Sequence, residues 1–163
     1  MKTLLTLCLF VSLGLLSCKK TSVAPASSVG SLESQTVMTP AKSNFDYIIA
    51  HTWQYNKYYI GYVDSAHLGT LVYKRGRAGN TYNLDNDFVT YYADGTIMED
   101  NNGTLYPGKW KFDDPTQTVL RAKNSTGVYI FPVLLLNNNH WNWKYHAVDN
   151  TERYAEMGPR SAN

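Results

Sequence analysis

The stretch from Phe88 to Phe112 leaves this chain few choices of fold. Phe88 to Tyr92 and Thr96 to Glu99 read as two strands joined at Asp94-Gly95, a pair that supplies the positive φ angles of a tight primed hairpin turn. Asn102-Gly103 repeats the device before a third strand over Tyr106 to Phe112. Asp113-Asp114-Pro115, Asn124-Ser125-Thr126-Gly127 and Asn137-Asn138-Asn139 are further turn sequences, and they bound strands over Thr118 to Lys123, Val128 to Leu136 and Trp141 to His146. With Trp53 to Tyr59, Leu68 to Lys74 and Glu152 to Met157 the count is eight or nine short strands at meander spacing. No helical pattern intervenes, so the strands form an antiparallel up-and-down sheet. A sheet of that many strands exposes two edges unless it curls closed, and a small barrel is the economical solution. At eight strands the interior is either filled by side chains or holds one small ligand.

Two local readings refine this. Asn44 is placed to cap a short helix from Phe45 to about His51, with Phe45, Ile48 and Ile49 on one face, which suits a lid or plug. From Trp53 the spacing changes to period two: Trp53, Tyr55, Lys57 and Tyr59 alternate with Gln54, Asn56 and Tyr58. The 13 Tyr residues, with Trp, Thr and Val, suit a pleated, half-buried surface.

Before the domain stands a different kind of sequence. Met1-Lys2-Thr3 is a short basic start, and Leu4 to Leu16 is an uncharged, mostly apolar run of about thirteen residues, the length of a signal-peptide core rather than of a membrane span. It stops at Leu15-Leu16-Ser17-Cys18, which resembles a lipobox, and Lys19-Lys20 follow at once. Residues 1–17 are therefore expected to be a lipoprotein signal peptide and Cys18 the lipidated residue. Cys8 would leave with the leader, and an acylated Cys18 sulfur can neither pair, ligate metal nor attack a substrate. Residues 18–43, rich in Ser, Thr, Ala, Val and Pro, are expected to be a flexible tether, with the domain over 44–160. Lysines rather than acids after Cys18 favour an outer-membrane anchor facing the periplasm.

Trp53, Phe88, Asp94-Gly95-Thr96, Gly108-Lys109-Trp110, Asp113-Asp114 and Leu120 together resemble the lipocalin-like domains found in many short lipoproteins of Gram-negative bacteria. The likeness covers most of the domain. It implies an antiparallel barrel that holds a small apolar molecule, and it brings no shared catalytic residues.

The candidate ligand-binding residues are Trp53, Phe88, Tyr91, Trp110, Trp141 and Trp143, the aromatic rings expected inside such a barrel. Trp141 and Trp143 beside Asn137 to Asn139 and Asn142 also suit a platform for a sugar ring, although their shared parity with Tyr145 favours an interior position. Arg75 to Asn80 reads as a loose basic loop, not a phosphate cradle, because no helix follows it. A net charge of +2, with no basic cluster, excludes a nucleic-acid partner. His140 and His146 lie too far apart along one strand to share an ion, and no metal or other cofactor is expected. No nucleophile, base and orienter stand out, so the chain reads as a non-enzymatic binding protein or, alternatively, as a structural or interaction module with a filled core.

Overall fold

The computed structural model describes residues 41–161. A five-residue helix, α1 (Asn44–Ile48), precedes nine strands: β1 (Thr52–Ile60), β2 (Thr70–Lys74), β3 (Asp87–Tyr91), β4 (Thr96–Asn101), β5 (Thr104–Phe112), β6 (Val119–Asn124), β7 (Gly127–Leu136), β8 (Trp141–His146) and β9 (Glu152–Pro159). All neighbouring pairs are antiparallel, and β9 returns to pair with β1. The fold is the expected all-β, lipocalin-like barrel. Eight strands close the ring in the order β1, β3, β4, β5, β6, β7, β8, β9, and β2 is an extra strand outside it. Among the described residues no helix is long and apolar enough to cross a membrane. Cys18, the expected signal peptide and most of the expected tether lie outside the described residues.

The two Gly-containing hairpins differ from each other. Asn102 and Gly103 both have positive φ, 50° and 88°, and form the two-residue primed turn that their sequence predicts. At Asp94-Gly95 only Gly95 is left-handed, with φ 79°, so this is not a primed turn. Its amide donates to the Tyr92 carbonyl and the Tyr92 amide to the Thr96 carbonyl, which gives a longer loop ending in a left-handed glycine. The Asp94 carboxylate takes both the Thr96 amide and the Thr96 hydroxyl, and this local bonding competes with the tighter turn.

Helix α1 plugs one end of the barrel. Its N-cap is Ser43 rather than Asn44: the Ser43 hydroxyl accepts from the Asp46 amide while the Asp46 carboxylate accepts from the Ser43 amide, a reciprocal capping box. Asn44 instead bonds the turn between β5 and β6, its Nδ2 donating to the Gln117 carbonyl, and the Gln117 Oε1 accepts from the Phe45 amide. Ile48 is fully buried, Phe45 stacks on Trp110 at 5.5 Å, and the Trp53 indole donates to the Ile48 carbonyl at 2.8 Å. The helix ends at Ile48, short of His51, because Ile49 closes it and β1 begins at Thr52.

Strand β1 departs most from simple alternation. Tyr55 pairs with Met157 of β9, the next pairing is Lys57 with Glu156, and Tyr58 then pairs with Ala155. The extra residue, Asn56, makes a bulge. It reverses the parity expected from Trp53, Tyr55, Lys57 and Tyr59: Tyr58 joins Trp53 and Tyr55 on the inner face, and Lys57 turns outward to Glu156 at 2.8 Å. Gly158 makes room for the side chain of the bulged residue, since a Cβ there would stand 2.6 Å from Asn56 Nδ2.

The other edge of β1 is shared. Thr52 to Gln54 pair with β3, while Lys57 to Ile60 pair with β2, so the ring splits beside Tyr55 and Asn56. Arg75 fills the gap, its Nε donating to the Tyr55 carbonyl and its amide to the Asn56 carbonyl. The segment expected to be a loose basic loop therefore starts with a residue that seals the backbone of the seam.

Candidate functional site

Which residues look inward follows from register. Val89 pairs with Glu99, Tyr91 with Ile97 and Asp87 with Asn101, so Asp87, Val89 and Tyr91 share the interior with Ile97, Glu99 and Asn101. On the far side Phe131 and Tyr129 of β7, and Trp141, Trp143 and Tyr145 of β8, complete the wall. The end toward α1 is solid: Trp53, Tyr91, Ile97, Leu120 and Trp141 are each at most 2 % exposed. Toward the other end, where β1 parts from β3, a cavity of about 210 Å³ remains. A dry apolar cavity of about 150 Å³ is enough to take a benzene-sized molecule, so this one has room for a compact ligand but not for a long acyl chain.

The cavity wall is part aromatic and part polar. Trp143 lies 6.2 Å from Tyr55, 6.3 Å from Tyr58 and 5.8 Å from Tyr145, ring centre to ring centre. Burial holds the Tyr55 and Tyr58 hydroxyls protonated far above the usual phenol range, and the nearby Glu99 carboxylate adds to the effect at Tyr55 and at Tyr91. Glu99 itself is pushed up by desolvation, against one hydrogen bond from Asn124 Nδ2 at 2.9 Å. Asp87 is raised for the same reason. Trp141, 1 % exposed and part of the wall, leaves its indole N–H without an acceptor among the described residues. A buried donor left unmet costs stability.

Of the six residues expected to bind a ligand, Phe88, Tyr91, Trp141 and Trp143 are in this wall. By strand parity the Phe88 ring itself faces away from the interior, with the Arg160 guanidinium 3.7 Å from its centre. Trp53 and Trp110 are not part of it. Trp53 belongs to the solid floor under α1, and Trp110 lines a separate, more open hollow of about 340 Å³ with Phe45, Asp114 and Gln117. That hollow lies outside the barrel and carries no comparable set of buried polar groups. Trp141 and Trp143, at 1 % and 3 % exposure, present no ring to a surface sugar, and Asn142 turns away to the Tyr154 hydroxyl.

Sequence reasoning missed Tyr55, Tyr58, Asp87, Glu99 and Tyr145 as site residues. Glu99 was within reach, because a carboxylate two residues after the apolar Ile97 breaks the pattern of an inward strand face. Tyr58 was not, because its parity depends on the bulge.

The desolvated Glu99 makes a prediction about stability. A carboxyl whose pKa is raised on folding opposes folding once ionised, so the penalty is full above its folded pKa and vanishes below the unfolded value of 4.5. Glu99→Gln keeps an acceptor for Asn124 and removes the charge. It is expected to raise Tm by a few degrees at neutral pH, with the gain disappearing as melts are repeated below pH 4.5. A variant that melts lower than the parent across the whole range would show that the charge is compensated.

Among the described residues no three His, Cys, Asp or Glu side chains come together as a metal site. The two histidine–carboxylate contacts, His67 Nδ1 to Asp64 and His146 Nδ1 to Glu152, both at 2.9 Å, are exposed and local. Comparison of the chain with models of protein families and with curated proteins gives no match, and the assignment of the site rests on its geometry.

Proposed function

We propose that this is a lipid-anchored binding protein of the bacterial outer membrane, facing the periplasm, whose barrel holds one compact and largely apolar molecule. The observation that carries the reading is the cavity between Trp143, Tyr58 and Glu99: a barrel selected for packing alone has no reason to keep about 210 Å³ empty above a floor as solid as this one. The closed end and the open end divide the work, α1 and Trp53 giving rigidity and the end lined by Asn101 and Thr126 giving access. No set of nucleophile and base converges in the wall, so the reading is of binding without chemistry.

Native mass spectrometry of the protein purified from its own envelope tests the binding half. A co-purified small molecule is the expected result, and a bare monomer with tryptophan fluorescence unmoved by a panel of small ring compounds would favour a filled-core module instead. Cys18→Ala tests the anchor. The variant is expected to leave the membrane fraction almost completely, since one or more acyl chains supply its attachment. A variant processed at the same site and still membrane-bound would refute lipidation.

A further inference from the structure

We infer that the molecule held in this cavity is a small organic cation, an amine or quaternary ammonium carried on an apolar ring-sized body. The inference rests on the ligand-holding reading above and narrows it. Two carboxylates, Asp87 and Glu99, sit in the wall, and among the described residues no Lys, Arg or His lines the cavity. Two arginines stand behind the wall without lining it: Arg153, beside Tyr58 and Tyr145, is bonded to Asp149, and Arg75 is bonded to the Tyr55 carbonyl. Glu99 takes only a neutral amide, Asn124 Nδ2, and Asp87 has no cation partner among the described residues. Two acids facing a partly desolvated space with no cation among the lining residues are a standing cost, which a bound cation would offset and a wholly apolar ligand would not.

The rest of the wall suits the same charge. Tyr55, Tyr58, Trp143 and Tyr145 pack together beside these carboxylates. Aromatic faces carry the negative part of the ring quadrupole and attract ammonium groups, most strongly where water is excluded. The volume limits the body to about one ring and a short arm.

Three probes of one shape decide the point: phenethylamine, phenethyl alcohol and phenylacetate, titrated calorimetrically into the full-length protein. The amine is expected to bind at least about tenfold more tightly than the alcohol, and the acid most weakly. In the double variant Asp87→Asn and Glu99→Gln the amine should fall to the affinity of the alcohol, which should not change. Equal binding of amine and alcohol, or preference for the acid, would overturn the cation and leave the binding function standing. Binding of none of the three at millimolar concentration would overturn both. The comparison on the unaltered protein decides even where the double variant does not fold, and Glu99→Gln alone, which keeps the Asn124 hydrogen bond, gives a second check.

Discussion

Trp53→Ala is expected to destabilise the barrel by about 3–5 kcal/mol, enough to unfold much of a small domain. The ring is fully buried, packs edge-on against Trp141 at 6.0 Å, and donates a hydrogen bond to the helix backbone, at the Ile48 carbonyl. Its loss opens a cavity under α1 and removes the donor that holds the plug. Trp53→Phe separates the two effects, since it keeps most of the packing and gives up only the N–H, at about 1 kcal/mol. Urea unfolding of both variants measures the difference. If Trp53→Ala costs less than the phenylalanine variant, the floor is not the cooperative unit described above.

Gly108→Ala is expected to be nearly as damaging, for the opposite reason. Gly108 faces inward opposite Asn124, and a Cβ there would stand 2.2 Å from the Lys123 carbonyl oxygen and 3.0 Å from Ile97 Cγ2. Neither neighbour is the free end of a flexible chain. Strands β5 and β6 would have to part, and overpacking of this kind costs about 1–3 kcal/mol or more. The same strain should reach the ring that follows: Trp110 donates its indole N–H to the Tyr92 carbonyl at 3.0 Å and stacks on Phe45. Loss of near-ultraviolet ellipticity together with a lowered midpoint is the expected signature. By contrast Gly103→Ala, at a left-handed position with open space around it, should cost only the strain of its φ. A Gly108→Ala variant as stable as the parent would mean that the barrel relaxes freely at this seam.

These two positions show why the sequence resemblance was informative about fold and quiet about ligand. Gly108-Lys109-Trp110, Trp53 and the Asp94-Gly95-Thr96 turn all serve closure and plugging of the barrel, and none of them lines the cavity. The residues that do, Tyr55, Tyr58, Asp87 and Glu99 among them, stand at ordinary strand positions with no motif around them.

The strands themselves were legible because strand formation is local. Turn residues and period-two alternation depend on neighbours a few positions away, and each strand lies within about two residues of the place the sequence indicates. The short helix was legible for the same reason, although the choice between Ser43 and Asn44 as its cap turned on Asp46 and on Gln117, the latter more than seventy residues distant. What only the tertiary structure decided is the site. The bulge at Asn56 turns Tyr58 inward, the edge of β1 passes from β3 to β2 beside the cavity, and Arg75 closes the seam between them. Each of these arises where a ring of eight twisted strands must meet itself, a condition on the whole chain that no short stretch of residues carries.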